Sequence, residues 1–210
     1  MTEANPIRWL EWAREIQALG QTGLAFSQTE YDTERYRRLM EISAEIVHGH
    51  TGLEKETLVE NFLAQPGYAT PKVDVRGAVL REGKILLVQE RADQRWSMPG
   101  GWADVGDYPS EMVVREVWEE SGFHVEPGKI VGVFDANRDS DGPLVFFHAY
   151  KVVFLCTLVG GEARISDETL AVDFFDFDDL PDLSLARTNG RHLSEVLAHH
   201  RDTSRPAAFD

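Results

Sequence analysis

The apolar residues of the first third of the chain recur with helical spacing. In PIRWLEWAREIQALGQ, which starts at Pro6, bulky apolar side chains return every three or four residues and would share one broad helix face. A second helix is predicted to follow Ser27, which would be its N-cap, and LEKETLVENFLAQ predicts a third, shorter helix. The segment PGYATP, Pro66 to Pro71, ends the pattern. These signals predict a small three-helix domain at the N-terminus.

Beyond Pro71 the pattern changes to alternating and continuous apolar runs, which are typical of strands. The stretch KVDVRGAVLREGKILLVQE predicts a hairpin with its turn at Glu82–Gly83, and KIVGVFDA, PLVFFHAYKVVFLCTLV and LAVDFFDF predict further strands. Helices are predicted from about Pro109 to Ser121 and from about Asn189 to His200, whereas the tail DTSRPAAFD is predicted to be frayed. The chain is therefore expected to have a helical domain over residues 1–67 and an α+β domain over residues 68–210.

The net charge of the chain bears on which ligands and surfaces it can bind. The chain carries 36 acidic against 21 basic residues, a formal net charge of -15, which disfavours binding to nucleic acid or to an anionic membrane surface. An anionic substrate would then need metal ions or a local group of basic residues. The single cysteine, Cys156, lies in an apolar run and predicts a buried, unreactive thiol. One cysteine and no secretory signal favour a cytoplasmic protein.

The predicted helix Pro109–Ser121 gathers three carboxylates on one face. Glu116 lies beside both Glu119 and Glu120, because residues three and four apart are neighbours on a helix. Such like charges repel by a few tenths of a kcal/mol per pair. A divalent cation, Mg²⁺ or Mn²⁺, would reverse this repulsion, since both prefer grouped oxygen ligands. Gly100–Gly101, just upstream, would allow close approach of the backbone and could supply a carbonyl ligand.

The stretch GWADVGDYPSEMVVREVWEESGF, which contains this helix, resembles the Nudix box, G-x5-E-x7-R-E-U-x-E-E-x-G-U, where U is a bulky apolar residue. Eight positions match: Gly101, Arg115, Glu116, Val117, Glu119, Glu120, Gly122 and Phe123. One position departs, because Asp107 stands where the family has its first glutamate. Aspartate keeps the charge but has a shorter reach.

The resemblance implies a mixed sheet sandwiched between helices and the hydrolysis of a nucleoside diphosphate linked to another moiety. It implies that Glu116 and Glu120 are the principal metal ligands, that Glu119 is a further ligand or acts through water, and that the Gly100 carbonyl is a ligand. Arg115 is implied to steady this cluster. Metal ions suit this reaction because they neutralise phosphate oxygens and lower the pKa of bound water.

A general base outside the box is implied on a loop before a late strand. Glu168 is the first candidate and Asp167 the second, although a solvated loop residue remains the alternative for Glu168. Substrate contacts are predicted for Arg76, Arg91, His148 and Lys151, with packing at the edge of the core as the alternative for His148 and Lys151. His199 and His200 are predicted to lie at the surface.

The whole layout resembles a bacterial subgroup related to CDP-choline pyrophosphatases and often described as ADP-ribose pyrophosphatases. This resemblance implies hydrolysis of CDP-choline to CMP and phosphocholine, or, second, of ADP-ribose to AMP and ribose 5-phosphate. It also implies a homodimer, since the aromatic first helix would offer an apolar surface for pairing. A nucleotide sensor that does not cleave its ligand is the alternative from another class. RNA trimming is disfavoured by the net charge.

Overall fold

A computed structural model describes residues 8–136 and 148–210, and within these ranges the chain forms five helices and eight strands. The chain divides into two compact units, Met1–Pro71 and Lys72–Asp210. The boundary predicted near residue 68 falls between the last helix of the first unit and the first strand of the second. Across the described ranges, no helix is both long and apolar enough to cross a membrane.

The first unit consists of helices α1 (Arg8–Phe26), α2 (Glu30–Thr51) and α3 (Lys55–Leu63). The N-cap prediction was wrong: α2 is capped by Thr29, whose hydroxyl accepts a hydrogen bond from the Asp32 N–H at 3.1 Å. Ser27 lies before the helix, and its hydroxyl hydrogen-bonds to that of Thr33 at 2.9 Å. Helix α1 continues to Phe26, beyond the predicted stretch, and Pro6 lies outside the described residues.

Small residues bring α1 and α2 together. A Cβ at Gly23 would lie 2.2 Å from the ring of Tyr36, so glycine is required for this approach. The buried Ser43 hydroxyl donates to the Ala13 carbonyl at 2.7 Å. Several large apolar side chains of this unit nevertheless remain more than half exposed: Trp12, Leu19, Phe26, Tyr31, Leu53 and Tyr68.

The second unit is built on a mixed sheet with strand order β3-β2-β1-β6-β5-β8, in which β4 also pairs with β1 and β7 with β2. Strands β1 and β6 run parallel, whereas β1 and β2 form the predicted antiparallel hairpin with positive φ at Glu82 and Gly83. The strands are β1 (Lys72–Arg81), β2 (Lys84–Glu90), β3 (Trp96–Ser97), β4 (Gly100–Trp102), β5 (Phe123–Asp135), β6 (Ala149–Gly161), β7 (Thr169–Phe175) and β8 (Ala208–Phe209).

One helix packs on each face of this sheet. Helix α4 (Pro109–Ser121) buries Val113 and Val117 against one face of β1 and β2, and α5 (Gly190–Arg201) buries Leu193 and Val196 against the other. The bounds of α4 are those predicted from its starting proline and from Gly122, which ends the helix with φ 78. The predicted sandwich of helices around a mixed sheet is confirmed.

Three predictions about the second unit were wrong or incomplete. The tail is not frayed throughout, because Ala208–Phe209 pairs with β5 as strand β8. His199 is fully buried, whereas His200 is exposed as predicted. The short strands β3 and β4 were not predicted. Residues 143–147 of the predicted strand before β6 lie outside the described residues. Cys156 is buried as expected, and burial raises the pKa of its thiol to about 12.

His192, in the first turn of α5, is expected to make stability depend on pH. Burial, and then the positive charge of Lys151, lowers the pKa of His192 from 6.5 to about 3, and its Nδ1 accepts the Asn189 N–H at 3.2 Å. Below pH 6.5 the unfolded chain therefore binds a proton that the folded protein excludes. The contribution of His192 to the free energy of unfolding is complete above pH 6.5. It decreases toward pH 3 by about 1.4 kcal/mol per pH unit.

Urea unfolding of the wild type and of His192→Gln between pH 7.5 and 4.5 tests this. The variant should lose stability less steeply on acidification, because glutamine cannot take up the proton. His200→Gln, on the same helix but exposed, is the matched control and should keep the slope of the wild type. Equal slopes for wild type and His192→Gln would contradict the expectation.

Candidate active site

Gly100, the first residue of β4, has a backbone that only glycine adopts readily. Its φ is 140, and a Cβ at this position would lie 2.0 Å from the Val75 carbonyl oxygen. Strand β4 can therefore approach β1 only because it begins with glycine.

The ladder between β1 and β4 directs the polar groups of Gly100 away from β1. The Gly77 N–H donates to the Pro99 carbonyl and the Ala103 N–H to the Val73 carbonyl, both at 2.9 Å. Because hydrogen-bonded and non-hydrogen-bonded pairs alternate in an antiparallel ladder, Gly100 occupies a non-hydrogen-bonded position. Its N–H and C=O therefore point to the same side, away from β1.

The carboxylate of Glu120 lies on that side. Its Oε2 accepts the Gly100 N–H at 2.9 Å, and the residue is only 6% exposed. Burial raises the pKa of Glu120 to about 8, although the charge of Arg76 opposes this shift. A carboxylate so placed gains from a cation beside it, because burial alone disfavours its charged form.

Glu116 lies against the next residue of the strand. Its Oε2 is 3.3 Å from where a Cβ of Gly101 would stand, and burial raises the pKa of its carboxyl. Glu119, in contrast, is exposed on the helix. The structure thus brings Glu116 and Glu120 together at Gly100–Gly101 and leaves Glu119 at the surface.

Asp107 reaches the arginine of the box despite its short side chain. Arg115 donates to both oxygens of Asp107, from Nη1 at 3.1 Å and from Nη2 at 2.9 Å, and its Nη2 also donates to Glu116 at 3.2 Å. A turn from Asp104 to Asp107 carries the aspartate to this position. Arg115 holds the pKa of Asp107 below its usual range.

These groups fit a small divalent cation. In the two described ranges, no group of three or more His, Cys, Asp or Glu residues is already arranged to hold a metal. Mg²⁺ does not require such a cage, since it usually takes one or two carboxylates and completes its octahedron with water and substrate phosphates. Two carboxylates and the carbonyl directed from Gly100 form a partial set of hard oxygen ligands of this kind.

The loop that carries Asp167 and Glu168 is attached to the C-terminal end of α4. The Thr169 hydroxyl donates to the Glu120 carbonyl at 3.1 Å, and the Arg164 N–H donates to the Ser121 carbonyl at 2.9 Å. Both acidic side chains of the loop are exposed. The loop is thus bonded to the backbone of Glu120 through Thr169, and the role of Glu168 or Asp167 as general base stays a prediction.

Two families of known domains match the chain. Residues 7–62 match the family described as a UDP-X-like, N-terminal oligomerisation domain, and residues 70–197 match the NUDIX domain. The chain belongs to the Nudix hydrolase family. The enzyme class predicted from the box is therefore confirmed: the protein is a pyrophosphate hydrolase of a family whose members generally use divalent metal ions.

The similar proteins agree with this class. A putative ADP-ribose pyrophosphatase of Bacillus subtilis is 41% identical over 203 residues, 97% of each chain. A solved UDP-X diphosphatase is 31% identical, with 97% of this chain and 98% of that chain covered and a TM-score of 0.62. A solved ADP-ribose pyrophosphatase of Streptococcus suis is 41% identical and covers 67% of this chain and 100% of its own, also with a TM-score of 0.62.

The predicted substrate contacts of this Nudix hydrolase fall in three places. Arg76 and Lys151 are buried beside Asp74. Arg91 instead anchors the loop described above, since its Nε donates to the Asp167 carbonyl at 2.8 Å. The exposed His148 contacts Asp135, with its Nε2 2.9 Å from a carboxylate oxygen. Contact of these four residues with a substrate stays a prediction.

Sequence reasoning missed the partner of the two buried cations, Asp74. A signal was present: Asp74 and Arg76 stand two apart in a strand whose other interior residues are apolar, and residues two apart share a face of the sheet. Opposite charges on one buried face predict an internal ion pair.

Proposed function

We propose that this Nudix hydrolase cleaves the pyrophosphate bond of a nucleoside diphosphate linked to another moiety, with Mg²⁺ or Mn²⁺ as cofactor. The observation that carries the proposal is the meeting of Glu116 and Glu120 at Gly100–Gly101. ADP-ribose is favoured as substrate by the similar proteins from Bacillus subtilis and Streptococcus suis, which are named as a putative ADP-ribose pyrophosphatase and an ADP-ribose pyrophosphatase. CDP-choline, implied by the sequence layout, is the second candidate.

In this proposal Glu116, Glu120 and the Gly100 carbonyl would hold the metal, which would neutralise the diphosphate and lower the pKa of the attacking water. Arg115, held by Asp107, keeps the Glu116 carboxylate in place. The carboxylate of Glu168, with Asp167 as the alternative, accepts the proton of that water, and Glu119 is a further metal ligand or acts through water. Water attacks phosphorus directly, so no residue of the chain becomes covalently linked to substrate.

We further propose a homodimer formed through residues 1–67, in a protein that works in the cytoplasm. The family description of residues 7–62 as an oligomerisation domain supports the dimer. So do the apolar side chains that this unit leaves exposed, because pairing would bury them. Light scattering coupled to size exclusion should give twice the chain mass of 23.7 kDa, and a single chain mass would contradict the dimer.

A substrate panel tests the proposed reaction. ADP-ribose, CDP-choline, a UDP-sugar, NADH, diadenosine polyphosphates and nucleoside triphosphates are each incubated with Mg²⁺, with Mn²⁺ and with a chelator. ADP-ribose should yield AMP and ribose 5-phosphate only with metal, and ¹⁸O-water would show which phosphorus is attacked. Binding of a nucleotide without turnover of any compound would instead support the sensor, and salt-sensitive RNA cleavage would support RNA processing.

A further inference from the structure

A network of buried charged side chains lies on β1, directly beside β4. Asp74 and Arg76 are 2% and 4% exposed, and Arg76 donates from Nε and Nη2 to the two carboxylate oxygens of Asp74, both at 2.8 Å. The parallel pairing of β1 with β6 brings Lys151 opposite Asp74, with its Nζ 3.4 Å from Oδ1. Asp74 is therefore held between two cations.

The remaining nitrogen of Arg76 contacts the segment that leads to Gly100. Its Nη1 donates to the Met98 carbonyl at 3.1 Å and lies 3.9 Å from Oε1 of Glu90. One guanidinium thus connects Asp74 to the backbone that carries the metal-ligand candidates.

The segment Met98–Gly100 is held at four successive backbone groups. The Met98 N–H donates to the Thr188 hydroxyl at 2.9 Å, and the Met98 carbonyl accepts from Arg76. The Pro99 carbonyl accepts from the Gly77 N–H, and the Gly100 N–H donates to Glu120. These four bonds set the direction in which the next polar group, the Gly100 carbonyl, points.

Ion pairs as deeply buried as this one are costly, because both partners lose their hydration. A fold in which apolar residues of similar size replace such a pair is often at least as stable. We propose that Arg76, held by Asp74, is a positioning residue that aims the Met98–Gly100 segment and Glu120 at the metal. This inference rests on the proposed function. It differs from the predicted contact of Arg76 with substrate, because the guanidinium acts here through the backbone of Met98.

Binding of Mn²⁺ to the protein without substrate tests the inference, by the loss of the free Mn²⁺ electron paramagnetic resonance signal. Arg76→Lys keeps the charge but cannot contact both Asp74 oxygens and the Met98 carbonyl together. Its Mn²⁺ dissociation constant should rise about tenfold or more, as is typical when support of a metal ligand is lost. At saturating Mn²⁺ the KM for ADP-ribose should stay within about threefold of wild type while kcat falls.

Two further variants keep the test decisive if Arg76→Lys folds poorly. Thr188→Val removes the hydroxyl that accepts the Met98 N–H. Asp74→Asn removes the negative charge that holds Arg76. Both substitutions should also weaken Mn²⁺ binding. Arg95→Gln, which loses only an exposed pair with Asp182, is the control and should bind Mn²⁺ as wild type does.

The possible failures are distinguishable. Unchanged Mn²⁺ binding in folded Arg76→Lys and Thr188→Val would overturn the inference. A raised KM with unchanged Mn²⁺ binding would also overturn it and would assign Arg76 to the substrate. If the wild type neither bound Mn²⁺ nor hydrolysed any compound of the panel, the proposed function itself would fail.

Discussion

Glu120→Gln is expected to reduce turnover of the preferred substrate at saturating Mg²⁺ by roughly a thousandfold or more. Glutamine has nearly the same shape and can still accept the Gly100 N–H, so the loop and helix should stay in place. The amide cannot supply the negative charge that holds a divalent cation against the diphosphate. Steady-state kinetics with a coupled phosphate-release assay measures the loss.

The stability of the same variant separates a metal ligand from a structural residue. Burying a carboxylate without a cation is costly, so the neutral amide should leave the metal-free protein as stable as wild type or more so. Wild type should gain thermal stability from added Mg²⁺ or Mn²⁺, because a ligand stabilises the state that binds it, and Glu120→Gln should lose much of that gain.

Glu111→Gln is the matched control, since Glu111 lies in the first turn of the same helix and is exposed. It should retain both turnover and the metal-dependent gain in melting temperature. Near-normal turnover by Glu120→Gln would show that the buried carboxylate is not a metal ligand required for the reaction.

Gly100→Ala is expected to destabilise the second unit by about 3 kcal/mol or more and to abolish metal binding. The new methyl group would stand 2.0 Å from the Val75 carbonyl oxygen, and φ of 140 is unfavourable for alanine even in open space. Strand β4 would have to move away from β1, which would displace the carbonyl and N–H of residue 100. Urea unfolding and Mn²⁺ binding measure the two effects.

Gly106→Ala provides the comparison for this substitution. Gly106 also has a positive φ, 102, but a Cβ there would meet no atom within 4 Å. Its substitution should cost only the backbone strain, about 1–2 kcal/mol, and should leave Mn²⁺ bound. Equal losses of stability for the two variants would mean that the clash with the Val75 carbonyl oxygen does not lower the free energy of unfolding.

The candidate site was predictable from sequence where its residues are close along the chain. The spacing of Glu116 and Glu120 on a helix, the helix start at Pro109 and its end before Gly122 are all local, and the structure has the same helix bounds. The pairing of Asp107 with Arg115 spans only one loop, but it was not predicted from the sequence. The Gly100 carbonyl could be predicted as a ligand only from the resemblance to the Nudix box, because no periodicity marks a single backbone group.

Other parts of the site depend on residues that meet only after folding. Arg76 lies on β1 and Arg91 directly follows β2, yet Arg76 is buried against Asp74 and Met98, whereas Arg91 anchors the loop of Glu168. The spacing of Asp74 and Arg76 is a local signal for the first environment, but nothing local to Arg91 indicates the second. The contact of Thr188 with Met98 likewise joins residues ninety positions apart.

The sequence by itself determined the helices, the long strands, the family and the acidic helix, because each depends on periodicity or on spacing within about twenty residues. Only the tertiary structure decided that two-residue strands form at β3 and β8, that His199 is buried, and that Glu120 rather than Glu119 faces Gly100. The physical reason is the same in each case: burial and pairing are set by segments distant along the chain, which local patterns do not record.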